Sequence, residues 1–271
     1  MTRAGARAGG AVLGSPIAHS LSPALHRAAY DALGLDGWTY RAIECRADDL
    51  ANVLRSLDDE GVAGASLTMP LKHAVVPMLA SIEPLAKEVG GANTVVFGDA
   101  AGEWAGYNTD VPGMVDALSG LDLPDTATVL GAGATAASAV VALASLGVTH
   151  IVVRARRPAA AAALVSLAGG RGLVIDVEPW PSEPVDAALL VSTVPAGAAD
   201  ELHVVDKPGR VLFDVVYAPW PTPLAAAWSA AGGTVVGGLE LLIAQAAHQV
   251  RLMTGLEPPV DAMRAAVAIA T

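Results

Sequence analysis

The sequence predicts an α/β fold in two domains, on three observations. Short apolar runs alternate with helix-like stretches from Ala11 to Pro70. A strand, a glycine turn, an apolar helix and a second strand then succeed one another from Thr126 to Arg157. A long helical pattern, LELLIAQAAHQVRLMTG, follows Gly238 near the end of the chain. Alternation of this kind places a largely parallel sheet between helices, and 271 residues suit one large or two modest domains. The expected division is a first domain over 1–107, completed by 240–271, and a second over 108–239. The C-terminal helices then return to the first domain.

The apolar AVL before Gly14 reads as a strand, followed by a helix from about Pro23 to Leu33. Strand WTYRAIEC, a helix from Leu50 to Leu57 and strand GASLTMP come next. TVVFGDAAGEWAGYN has turn residues between two apolar runs and reads as a hairpin at the edge of the first domain. A helix from Val111 leads to the Pro124 turn, and then comes TATVLGAGATAASAVVALASLGVTHIVVRARRP. This unit opens a Rossmann-like nucleotide-binding domain: Gly131 permits the tight turn, Gly133 lets backbone approach a pyrophosphate, and Ala136 permits close helix packing. The alanine run from Ala159 to Ala163 reads as helix, and further strands are expected at DAALLVSTV, RVLFDVVY and GGTVVGG.

Hydrophobic residues make up 53% and charged residues 16%, which is a globular balance rather than a disordered one. The net charge of −11 argues against nucleic acid and anionic membrane as partners, because both require basic surface. Small molecules are the expected partners, and each Lys or Arg close to a motif gains weight. Cys45 is the only cysteine, so no intrachain disulfide can form and a reducing cytoplasm fits. MTRAGARAGG lacks a long apolar stretch behind it and is not read as a signal peptide. The six histidines are scattered, so no metal is expected, and His19, His26 and His73 read as structural.

GSPIAHSLSP, residues 14–23, admits two readings: a rigid turn capping the next helix, or a loop that aims the Ser20 and Ser22 hydroxyls at a polar ligand. SLTMPLK ends in Lys72, and GANT and GYNTD bring Asn93 and Asp110. Alone, these segments are better explained as a solvated lysine and a helix cap. No Asp or Glu follows the second strand of the nucleotide unit, where it would accept a ribose 2′-hydroxyl. Arg154, Arg156 and Arg157 stand there instead, which favours a 2′-phosphate and hence NADP over NAD.

Taken in order, GSPIAHSLSPALH, SLTMPLK, GANT, GYNTD, GAGATA, ARR, VSTVPAG, DVVYAPWPTPL and GLELLIAQA resemble the shikimate dehydrogenases over nearly the full chain. The resemblance implies NADPH-dependent, reversible reduction of 3-dehydroshikimate to shikimate in aromatic amino-acid biosynthesis, by a cytoplasmic monomer or homodimer. It assigns Lys72 and Asp110 to catalysis, Ser20 and Ser22 to the substrate carboxylate, and Ser66, Thr68, Asn93, Tyr217 and Gln245 to further substrate contacts. It gives the cofactor Gly131, Gly133, Ala134, Arg156, Arg157, Thr193, Gly238 and Leu241. Departures from the common pattern are Ser66 for Asn, Arg27 for Asn, Ala155 for Asn, Ser192 for Asn and Leu241 for Met. They bear on fine specificity, and Ser66 in particular has a shorter reach than Asn. A quinate/shikimate dehydrogenase using NAD, and a nucleotide sensor without turnover, are the alternatives.

Overall fold

The structure is a computed structural model that describes residues 7–169 and 171–268. The chain divides into two compact units, one running to Thr109 and resuming at Ile243, the other Asp110–Leu242.

The first unit is built on a six-stranded mixed sheet. Its strands are β1 (Gly10–Gly14), β2 (Tyr40–Glu44), β3 (Gly64–Leu67), β4 (Ser81–Ile82), β5 (Thr94–Phe97) and β6 (Trp104–Tyr107), in spatial order β2-β1-β3-β5-β6-β4. β1 pairs parallel with β2 and β3, whereas β5 pairs antiparallel with β3 and β6. The period-2 pleat of β1 sorts its side chains to opposite faces. Ala11 and Leu13 join a core with Leu50, Leu54, Leu57, Leu67, Leu71 and Trp104. Val12 packs on the other face with Tyr30, Tyr40 and Met253. The helices are α1 (Ser22–Ala32), α2 (Leu50–Asp59), the single turn α3 (Leu71–Ala74) and α4 (Pro84–Val89). Arg7 donates to Asp58 at 2.7 Å and to the carbonyls of Val62 and Gly98, so this cation of the N-terminal stretch is a structural tie.

The second unit holds α5 (Asp110–Leu118), α6 (Ala134–Ser145), α7 (Ala162–Ala168) and α8 (Pro223–Ala230) around an all-parallel sheet. Its strands are β7 (Thr126–Leu130), β8 (His150–Ala155), β9 (Val174–Pro179), β10 (Leu189–Ser192), β11 (Val211–Asp214) and β12 (Thr234–Gly237), ordered β12-β11-β10-β7-β8-β9. Because β8 lies to one side of β7 and β10 to the other, the strand order reverses at β7, the place where open parallel sheets bind ligands. α6 is buried from Ala136 to Leu143, as its largely apolar composition requires. α9 (Gly238–Thr254) begins in the second unit and ends in the first, and α10 (Val260–Ala268) packs on α1.

The hairpin β5–β6 comes at the end of the first stretch of this unit, which runs to Thr109, and a two-residue β4 that was not foreseen pairs outside β6. Strand β9 was not foreseen: it is itself an edge strand with no fully buried residue, so its apolar pattern has no core to mark it. The alanine run begins as a 3-10 turn, Pro158–Ala161, before α7.

Candidate active site

In the first unit, backbone hydrogen bonds gather the separated motifs at one end of the sheet. Thr68 N donates to Leu13 O at 2.9 Å and Ser15 N to Met69 O at 3.0 Å, which fixes the loop after β1 beside the loop after β3. Leu67 N donates to Asn93 O at 2.7 Å and Ala92 N to Lys72 O at 2.9 Å, which brings the GANT segment against both. Ser66, Thr68, Lys72 and Asn93 thereby become neighbours in space. Gly14 is required here, since a Cβ would lie 2.3 Å from the Thr68 methyl.

The serine loop is held from outside by Glu44 at the end of β2, whose carboxylate accepts from Ile17 N at 3.1 Å and from the Ser15 hydroxyl. Sequence reasoning missed Glu44. Neither Ser20 nor Ser22 caps α1 by side chain: Leu21 occupies the cap position, and Ser20 Oγ accepts from Ser22 N at 3.3 Å. Both hydroxyls stand at the N-terminal end of an 11-residue helix, where aligned peptide dipoles favour an anion.

Behind this loop cluster lies a buried polar network. Tyr40 donates to Ser66 at 2.6 Å, and Ser66 donates to Gln249 Oε1 at 2.8 Å. His26 Nε2 lies 3.2 Å from the same oxygen, and Gln249 Nε2 donates to Thr94 at 3.1 Å. Thr94 donates to Asn93 Oδ1 at 2.9 Å, and Asn93 Nδ2 to Thr109 Oγ1 at 2.9 Å. His26 stacks on Tyr40 with ring centroids 3.8 Å apart. Burial pushes the His26 pKa down to about 4 against the opposing bond to Gln249, and burial holds the Tyr40 phenol well above its ordinary value. His26 is thus neutral and structural. The hydroxyl of Ser66 is engaged on both sides by protein groups, which the loss of Asn at this position did not reveal. Gln249 and Tyr40 also went unrecognised. A signal existed for Gln249, which lies four residues after Gln245 and so on the same face of α9. Gln245 itself is buried.

In the second unit the corresponding chemistry belongs to the backbone. Gly131 adopts φ +109°, and a Cβ there would meet Thr193 Oγ1 at 2.6 Å. Thr193 in turn donates to Leu130 O at 2.7 Å and fixes the turn from the neighbouring strand end. Gly133 precedes α6 with no side-chain cap, and nothing lies within 4 Å of where its Cβ would be. The first turn of α6, starting at Ala134, therefore offers N–H groups beside open space, which fits a pyrophosphate. Arg156 and Arg157 are exposed just past β8, while Arg154 is paired with Glu178 on β9 and leaves the cluster. An exposed arginine pair suits a phosphate on the adenosine ribose, so the unit fits NADP.

The remaining expected residues of this unit lie elsewhere along the sheet. Asp110 is buried at the start of α5, and Tyr217 is half-buried, its phenol pKa raised by burial. Gly238 has a structural reason to be glycine, since a Cβ would sit 2.1 Å from Val215 O. Leu241 is buried on α9. Asp214 accepts from Thr222 at 2.7 Å and from Val216 N at 3.2 Å, fixing the segment that carries Tyr217. Among the described residues no three His, Cys, Asp or Glu side chains form a metal-binding group. No described helix is long and apolar enough to cross a membrane.

Comparison with known proteins gives a concordant picture. A family model described as the shikimate dehydrogenase substrate binding domain matches residues 12–95. One described as the shikimate 5'-dehydrogenase C-terminal domain matches 238–268. The chain is 35% identical to the shikimate dehydrogenase (NADP(+)) of Geobacter metallireducens, over 93% of each chain. It is 43% identical to the crystal structure of Mycobacterium tuberculosis shikimate dehydrogenase, with a TM-score of 0.85 over 97% of this chain and 99% of that one. The Thermus thermophilus enzyme, solved in complex with NADP(H) and shikimate, is 33% identical, with a TM-score of 0.84 over 97% of this chain and 100% of that one. With a mixed substrate-type sheet, an open nucleotide-type helix start and relatives of this identity along almost its whole length, the chain belongs to the shikimate dehydrogenase family.

Proposed function

We infer that the chain catalyses the reversible, NADP-dependent interconversion of 3-dehydroshikimate and shikimate. The observation that carries this reading is the α6 start with Arg156 and Arg157 beside it, in a chain aligned over 97% of its length with a relative solved with NADP(H) and shikimate. The bound dinucleotide supplies or accepts a hydride. The α6 N-terminus with Gly131, Gly133 and Ala134 would hold its pyrophosphate, and Arg156 and Arg157 its 2′-phosphate. Thr193, Gly238 and Leu241 would flank the rest.

Ser20 and Ser22 would receive the substrate carboxylate, with the α1 dipole adding to their hydrogen bonds. Ser66, Thr68, Asn93, Tyr217 and Gln245 would orient the ring and its hydroxyls. During reduction, negative charge grows on the carbonyl oxygen. The Lys72 ammonium both stabilises that charge and delivers the proton that completes the alcohol. Asp110 would hold the ammonium and a ring hydroxyl in register. A cytoplasmic location suits such a chain with its one buried cysteine.

The test is to assay purified protein with shikimate or quinate and with NADP⁺ or NAD⁺, following the absorbance of the reduced cofactor. Turnover of shikimate with NADP⁺ is expected to dominate. Preference for quinate with NAD⁺, or nucleotide binding without any turnover, overturns the reading.

A further inference from the structure

The polar network of the first unit has a proton order that can be derived bond by bond. A backbone N–H can only donate, and Thr109 N lies 2.8 Å from Asn93 Oδ1, which fixes the orientation of that amide. Thr94 Oγ1, 2.9 Å from the same oxygen, must give its single proton there. Toward Gln249, Thr94 is then an acceptor, so the nitrogen of the Gln249 amide faces it at 3.1 Å. The Gln249 oxygen consequently faces Ser66 and His26, and both donate to it. That makes His26 the Nε2–H tautomer, with Nδ1 able to accept from Tyr30 at 3.4 Å. Ser66 has now given its proton to Gln249 and accepts from Tyr40 at 2.6 Å. One lone pair remains on its oxygen.

We propose that Gln249 is a positioning residue for the ring substrate: it carries the proton order set at the Thr109 amide to Ser66, whose oxygen can accept from a ring hydroxyl but cannot donate to a ring carbonyl. The Asn93 amide is locked in the same way: its Oδ1 receives Thr109 N and Thr94, and its Nδ2 gives a hydrogen to Thr109 Oγ1. Ser66 therefore suits a ring hydroxyl, which can donate to it, at the position it meets. This inference rests on the assignment of Ser66 to the substrate made above.

Thr94→Val keeps the shape and strand preference of the side chain but removes the hydroxyl that links Asn93 to Gln249, while Thr94→Ser keeps the hydroxyl. Thr94→Val and Gln249→Leu are each expected to raise the KM for shikimate about tenfold, the loss of roughly one hydrogen bond, with a smaller change in kcat. Affinity for NADP⁺ should stay at the parental value, and Thr94→Ser should restore the parental KM. Nitrogen NMR of His26 in the parent should show the Nε2–H tautomer. A folded Thr94→Val protein with parental KM, a Thr94→Ser protein as impaired as Thr94→Val, or an Nδ1–H tautomer overturns the inference. A parent that oxidises shikimate while Thr94→Val is unaltered refutes this inference alone. A parent that does not use shikimate refutes it together with the functional reading.

Discussion

In the mixed sheet, Ser66, Asn93, Thr94 and Gln249 bury an interlocked set of side-chain hydrogen bonds behind the loops, whereas in the parallel sheet the end of β7 is almost bare. There Gly131 makes the turn, Gly133 leaves open space, and the first turn of α6 would provide the chemistry through its N–H groups. The contrast follows from the ligands. A small hydroxylated ring offers hydroxyl groups at fixed positions, and only placed side chains can match their donors and acceptors. A pyrophosphate offers charge, which any well-aimed row of amides can receive.

The largest expected effect breaks the contrast on the side-chain half. Replacing Lys72 with Ala should lower kcat by roughly 100- to 10,000-fold, the range for loss of a general acid, with a much smaller change in KM. Ordinary turnover in a folded Lys72→Ala enzyme would show that this lysine is only a loop charge. On the other half, Arg156→Ala combined with Arg157→Ala should remove most of a preference for NADP over NAD. Two charge-assisted hydrogen bonds are worth roughly 100-fold or more in kcat/KM. An undiminished preference in the double variant would move the phosphate site elsewhere.

A smaller effect sharpens the comparison through pH. His26 titrates near 6.5 when unfolded and at about 4 when buried, so the unfolded chain binds the extra proton first as pH falls. Its contribution is complete above 6.5 and lost as pH drops toward 4. Between pH 7 and pH 5 the loss is about 2 kcal/mol. Denaturant titrations of the parent and of His26→Gln should differ in slope against pH by that amount, and parallel curves would contradict the burial argument. The smallest effect concerns Gly133. Alanine there meets no atom and needs no unusual φ, so Tm should hold while affinity for NADP⁺ falls by about tenfold, as a methyl group obstructs one amide contact. A variant that binds NADP⁺ normally would mean that the phosphate does not approach this glycine.

The same contrast explains what the sequence disclosed. The residues proposed for the nucleotide could be picked out because they are local: Gly131, Gly133, Ala134 and the arginine pair fall within one strand–helix–strand unit. Gly238 carries a requirement the sequence did not show, since a Cβ there would meet Val215 O. The ring half was legible only through its ordered resemblance to a family. Its supporting network joins residues 183 and 155 positions apart, a pairing that no local periodicity encodes. Tyr40 sits in a strand whose other residues are largely exposed, so nothing nearby marks it as a buried donor. β4 and β9 escaped for a simpler reason, because edge strands without a buried face carry no apolar alternation.

α9 starts in one unit and finishes in the other, and that bears on how the chain is made. A ribosome adds roughly 5–20 residues per second and releases the N-terminal sheet long before Gln249 is joined to the chain. Throughout synthesis of the second unit, His26, Ser66 and Thr94 lack the amide that completes them in the finished protein. A premature stop between Thr109 and Gln249 therefore leaves the sheet of the first unit with an unsatisfied polar interior, a product that cellular proteases can distinguish from the full-length enzyme by its instability alone.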